Sequence, residues 1–248
     1  NDPVTILDRA NKTVITESGQ SFEYDQCIIA TGSKAFVLPI PGSDLPSVIG
    51  WRTIDDTKRM MEIAQTKQKA IVIGGGLLGL ECARGLLDQG MEVTVIHLAE
   101  WLMEMQLDRK AGQMLKNDLE QQGMRFELQA NTQEILGHED VESVRLADGR
   151  VLEADLVVMA VGIRPYTEVA KAAGLEVNRG IIVNAYMQTS DPNIFAVGEC
   201  AECEGKVYGL VAPLYEQGIV LADYLTNKET NGYHGSTTFT SLKVSGCD

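Results

Sequence analysis

Residues 69–96 read KAIVIGGGLLGLECARGLLDQGMEVTVI, an apolar run, a glycine cluster and an amphipathic stretch in that order. Ala70, Ile71, Val72 and Ile73 have the pattern of a strand buried on both faces, as in a parallel sheet. Gly74, Gly76 and Gly79 follow in the spacing G-x-G-x-x-G. Leu80, Ala83 and Leu87 then recur at helical intervals, with Cys82 and Leu86 on the neighbouring face, until Gly90 ends the run. MEVTVI supplies a second strand. Strand, glycine turn, helix and strand within about 30 residues is the setting in which this spacing binds a dinucleotide. The first glycine permits a tight turn, the second lets the backbone approach a pyrophosphate, and the third lets helix and strand pack closely. Free amides and the positive end of the helix dipole hold the anion. Gly74, Gly76, Leu77, Leu78 and Gly79 are therefore the expected cofactor contacts.

The position that reads the ribose lies at the end of the second strand, about 20 residues past the glycines. It is His97, where an acid is expected for NAD; its ring can donate to either form of the ribose, and the alternative is a buried histidine satisfied within the protein. Glu100 follows, and no Arg or Lys occurs between Val93 and Arg109 to receive a 2′-phosphate. That leans towards NADH over NADPH.

The chain has 248 residues, enough for one large domain or two ordinary ones. Its charge of −14, without a basic cluster, argues against nucleic acid and anionic membrane as partners. No apolar stretch reaches the 18 or so residues of a membrane span, and NDPVTILDRANK has no signal-peptide core. Five cysteines, an odd number with no secretion signal, favour a reducing, cytoplasmic compartment. Cys200 and Cys203 form a CxxC. A zinc site there would need two more ligands, so no metal is expected and the pair reads as two unpaired loop thiols.

Around the central unit the chain is strand-rich. VTILD, KTVIT and QCIIA read as strands, TGSKAFVLPIPGSDLP as an irregular linker, and TIDDTKRMMEIAQTK as a helix capped near Thr53 or Asp55. LDRKAGQMLKNDLEQQG is a helix stopped at Gly123, MRFELQ a strand, and ESVRLA with RVLEA a hairpin across DGR. DLVVMAVG is a further buried strand. PLYEQGIVLADYL is a helix with Pro213 at its first position. The expected class is α/β: a Rossmann-like domain over 68–163 inserted between segments 1–48 and 164–232, with a linker helix at 49–67 and a further domain starting at 233–248.

IIATGS at 28–33, IVIGGGLLGLECA at 71–83, VVMAVGIRP at 157–165 and IFAVGEC at 194–200 occur in one order that resembles the FAD-dependent pyridine nucleotide-disulfide oxidoreductase superfamily. The resemblance covers nearly the whole chain. It implies an NAD(P)-binding insert within a partial FAD-binding domain. Ala30, Thr31, Gly32, Gly198 and Glu199 would then lie against FAD, with Glu199 where an Asp is usual. Glu81 and Gly162 would face the nicotinamide half, and the helix at Pro213 would aim at the flavin. GKVYGLVAPLYEQG at 205–218 and WLMEMQLD at 101–108 narrow the resemblance to the large subunits of assimilatory NAD(P)H nitrite reductases. The implied role is electron input from NAD(P)H to FAD and on to an acceptor domain or protein, with iron–sulfur and sirohaem regions expected beyond residue 248. No side chain need act as a catalytic nucleophile or base. The chain is expected to be a fragment that begins after the FAD glycine motif. Alternatives are a reductase of rubredoxin or ferredoxin, and a nicotinamide-binding module without turnover. A homodimer is left open.

Overall fold

A computed structural model of the chain describes residues 2–244. Cys247 and the end of the expected terminal segment lie outside the described residues. Two compact units form: the chain up to Lys34 with Ile163–Phe239, and Ala35–Gly162 with the chain from Thr240 on.

The first unit opens with β1 (Val4–Asp8), β2 (Thr13–Thr16), β3 (Ser21–Glu23) and β4 (Cys27–Ile29), and β5 (Ser33–Ala35) spans the boundary between Lys34 and Ala35. β1, β2 and β3 form an antiparallel sheet. The turn ESGQ joins its last two strands, with Gly19 at φ 84° where a Cβ would be strained.

The second unit contains β6 (Val48–Gly50), α1 (Ile54–Ala64), β7 (Lys69–Ile73), α2 (Leu77–Asp88), β8 (Glu92–His97), α3 (Arg109–Gln121), β9 (Arg125–Leu128), β10 (Thr132–Leu136), β11 (Ser143–Leu146), β12 (Val151–Glu153) and β13 (Leu156–Met159). Its centre is a parallel sheet in the order β6-β13-β7-β8-β9. The period of two along each strand sorts side chains between two layers. Ala70, Val72, Val93, Val95, Leu156 and Val158 pack with Leu80, Ala83 and Leu86 of α2. Ile71, Ile73, Ile96, Val157 and Met159 pack instead with Ile135, Val144 and Leu146 of the antiparallel sheet β10-β11-β12. The run is buried on both faces as expected, with a helix layer on one side and a sheet on the other. Burying a branched side chain of this kind contributes roughly 1.5–3 kcal/mol.

Thr53 caps α1 in a reciprocal box with Asp56. Asp108 caps α3 by accepting from the Ala111 amide at 2.8 Å. The expected linker at 31–46 is irregular apart from β5, and just past it the chain joins the sheet: β6 pairs in parallel with β13, so the expected boundary at residue 48 falls inside this unit.

The chain returns to the first unit through β14 (Ile163–Pro165), α4 (Glu168–Ala172), β15 (Ile181–Val183), β16 (Ile194–Ala196), β17 (Ala201–Cys203), β18 (Lys206–Val207) and α5 (Val211–Leu225). β16 pairs in parallel with β4, and β14 pairs with β5. Ile181, Met187, Ile194 and Phe195 form the centre of this unit's core. α5 starts at Val211, two residues before Pro213, so Pro213 is third rather than first in the helix. Proline is tolerated there because the first-turn amides have no intrahelical acceptor. Among the described residues no helix is long and apolar enough to cross a membrane.

Candidate dinucleotide-binding site

In the second unit, β7 and β13 lie side by side in the sheet: the chain runs outward from β7 to β8 and β9 on one side and then crosses to β13 on the other, so the strand order reverses between β7 and β13. Such a switch point opens a crevice at the strand ends. The three motif glycines occupy it for three different reasons. Gly74 has φ 119°, and a Cβ on it would lie 2.4 Å from the Ala160 carbonyl oxygen. A Cβ on Gly79 would lie 1.9 Å from the Gly74 carbonyl oxygen, so α2 can pack on the turn only without one. Gly76, the N-cap of α2, is different: a Cβ there meets nothing within 4 Å. Its glycine is not required by packing, and the space beside it is open for a ligand. No side chain caps α2, and its ladder begins with the Leu80 amide donating to Gly76 at 3.0 Å. The amides of Leu77, Leu78 and Gly79 precede that ladder and suit an anion.

Gly75 shows how the turn is held. Its amide donates to His97 Nδ1 at 3.0 Å, and its carbonyl accepts from the Met103 amide at 3.0 Å. A Cβ on Gly75 would meet the His97 ring and Leu102 at 2.8 Å each. Because Nδ1 accepts, the ring proton belongs on Nε2, which lies 2.9 Å from Glu104 Oε2 and donates to it. The expectation that His97 donates to a ribose is therefore revised. The ring is buried, both its nitrogens are engaged within the protein, and it braces the glycine turn. His97→Ala is expected to cost about 2–4 kcal/mol in urea unfolding, since it leaves a buried amide unpaired and a cavity behind. A loss below about 0.5 kcal/mol would show that the brace carries no stability.

Glu81, on the second turn of α2, accepts from the Lys243 amide at 3.0 Å. One of its oxygens is thus bound to the segment that follows Thr240. Gly162 has φ 102°, and its carbonyl accepts from the Phe36 amide at 2.9 Å.

In the first unit, the parallel pair β4 and β16 is in register at Ile29 and Ala196, so Ala30–Ser33 and Val197–Glu199 leave the same edge. Ser33 donates to Glu199 Oε2 at 2.7 Å in a buried bond. Gln217 of α5 accepts from the Gly198 amide at 2.9 Å. Thr31 donates to the Tyr166 carbonyl at 2.7 Å, and the Tyr166 amide returns a bond to the Gly32 carbonyl at 2.9 Å. Sequence reasoning missed Ser33 and Gln217. Ser33 stood within the quoted ATGS, and Gln217 carried no signal beyond being an amide on an apolar helix.

Cys200 and Cys203 are buried core residues rather than loop thiols. Cys200 faces the carbonyls of Ile29 and Val197, whereas Cys203 faces those of Asn184 and Tyr233. Burial pushes the Cys82 thiol up to about 12. At pH 8 Cys82 should stay unalkylated by iodoacetamide in the native protein and react once urea unfolds it, read by mass spectrometry. Rapid native labelling would contradict the burial of α2.

Residues 1–220 match the family described as pyridine nucleotide-disulphide oxidoreductase. Over 248 residues the chain is 57% identical to a nitrite reductase [NAD(P)H] of Bacillus subtilis (strain 168), covering all of this chain and 31% of that protein. It is 49% identical over 247 residues to an assimilatory nitrate reductase electron transfer subunit of the same organism, covering 100% of this chain and 32% of that protein. A solved ferredoxin reductase for the CYP199A2 system from Rhodopseudomonas palustris superposes with a TM-score of 0.88 at 33% identity, over 95% of this chain and 60% of that one. The chain thus spans about a third of the length of these two curated relatives.

Proposed function

This chain belongs to the pyridine nucleotide-disulphide oxidoreductase family, and we propose that it is the electron-input part of an NAD(P)H-dependent nitrite reductase. Identity of 57% along its whole length to a nitrite reductase carries this reading. In it, the second unit binds NAD(P)H, and the first unit contributes to an FAD site. These cofactors, when bound, supply hydride and electron transfer. The residues around them bind and orient. Gly74 turns the chain, Gly76 leaves room for the pyrophosphate, and the amides of Leu77, Leu78 and Gly79 hold it. The open Cβ position at Gly76 is the observation that fits a ligand there.

Residues Ala30, Thr31, Gly32, Gly198 and Glu199 and the α5 terminus at Pro213 are the proposed FAD contacts. Ser33 fixes the Glu199 carboxylate and Gln217 fixes Gly198, which preorganises that edge. Gly162 and Glu81 are proposed on the nicotinamide side. The partner is an electron acceptor, either a further domain or a separate protein.

The test is NADH oxidation driven by nitrite in a polypeptide that contains these residues. The expected result is turnover that is lost with Gly76→Val. Turnover with a reduced electron-carrier protein as the product and none with nitrite would instead support a ferredoxin- or rubredoxin-type reductase.

A further inference from the structure

We infer that Glu104 is the specificity-determining residue for the dinucleotide, reading the adenosine ribose and rejecting a 2′-phosphate. The inference rests on the NAD(P)H reading of the second unit. In a strand–helix–strand dinucleotide site, a carboxylate at the end of the second strand accepts from the ribose hydroxyls. Here the end of β8 carries His97, which has no acceptor to offer: Nδ1 takes the Gly75 amide and Nε2–H points to Glu104. The carboxylate is displaced by one hydrogen bond, from the strand end to the irregular segment between β8 and α3.

Three observations place Glu104 where a ribose would lie. It lines a cavity of about 430 Å³ together with Gly74, Gly75, Gly76 and His97, so the carboxylate shares a space with the glycine turn. Its side chain is 35% exposed, against 9% for His97, so it is the accessible member of the pair. The bond to His97 uses one of roughly four lone-pair sites, leaving others for hydroxyl donors.

The same cavity is lined by Thr132, whose buried Oγ1 has no partner among the described residues.

Charge then decides between the two cofactors. A 2′-phosphate carries one to two negative charges and would meet the Glu104 carboxylate with no Lys or Arg among the lining residues. Arg109, the nearest cation along the segment, is paired with Glu100. Repulsion between like charges a few ångströms apart in a partly buried site corresponds to about tenfold or more in affinity. His97 acts through Glu104 and is a positioning residue.

The experiment is calorimetric titration of the parent, Glu104→Gln and Glu104→Asp with NADH and with NADPH. The parent should bind NADH at least about tenfold tighter than NADPH. Glu104→Gln keeps an acceptor for His97 but removes the charge, and should cut that preference by about tenfold, mainly by tightening NADPH. Glu104→Asp should retain the preference, which a purely structural role would not predict. An unchanged ratio in Glu104→Gln, or a parent that prefers NADPH, overturns the inference alone. A parent that binds neither dinucleotide overturns it together with the NAD(P)H reading.

Discussion

Gly76→Val should abolish NADH binding while leaving the protein folded. The added side chain meets no protein atom, because a Cβ at this position has nothing within 4 Å, and the backbone at φ −85°, ψ −176° is one that valine adopts readily. The cost to the fold is the poorer N-cap, about 1 kcal/mol, or a fall of roughly 2–4 °C in Tm. The cost to binding is larger. A branched side chain fills the space a pyrophosphate needs and separates it from the amides of Leu77 and Leu78. Charge-assisted hydrogen bonds are worth about 1.5–3 kcal/mol each, so losing two weakens NADH by about a hundredfold or more. Calorimetry and thermal unfolding on the same sample separate the two effects. Equal affinity in parent and variant would place the dinucleotide elsewhere.

Gly79→Ala should do the reverse and damage the fold first. Its Cβ would stand 1.9 Å from the Gly74 carbonyl oxygen and 3.5 Å from the Ala160 Cβ. The oxygen is backbone in a turn already at φ 119°, so the helix must move to relieve the clash. Alanine inside a helix gains about 1 kcal/mol over glycine, whereas overpacking of this kind costs about 1–3 kcal/mol or more. The clash wins, because α2 carries Leu80, Ala83 and Leu86 into the core of this unit and cannot retreat without unburying them. The expected net loss is about 2 kcal/mol, seen as a fall of roughly 4–8 °C in Tm. A variant as stable as the parent would show that helix and turn are less tightly packed than the structure has them.

Why the two glycines behave oppositely was legible from spacing alone. The motif assigns the second glycine to ligand approach and the third to helix packing; the Cβ distances show the packing role at Gly79 and leave Gly76 with open space beside it. The strand at Ala70–Ile73 and the hairpin across Asp148–Arg150 were equally readable, and the cap of α1 was narrowed to Thr53 or Asp55, of which the structure uses Thr53, because each depends on neighbours in sequence. β10 was not, since Thr132–Leu136 alternates weakly and gains its identity only by pairing with β11. β6 was hidden for a related reason: three residues after a proline-rich stretch look irregular until β13, more than a hundred residues later, supplies hydrogen bonds.

The site divides along the same line. The glycine turn is a local motif and could be found. The His97 brace was legible only as the alternative of a buried, satisfied histidine, because nothing in the spacing reveals that Gly75 and Glu104 occupy both of its nitrogens. Glu104 lies in an irregular segment where no periodicity assigns a direction. Ser33 and Gln217 act across long sequence separations, on Glu199 and Gly198 respectively, and that kind of pairing is decided by the fold.

The claim on which the rest depends is that the N-terminus of α2 holds the dinucleotide pyrophosphate. Amide ¹H–¹⁵N spectra recorded during NADH titration test it most directly. The largest shifts should fall on Gly76, Leu77, Leu78 and Gly79, with smaller ones at Glu104 and Thr132 and little change at Gly90, past the opposite end of α2. Saturable NADH binding that leaves the Gly76–Gly79 amides unmoved would contradict the account.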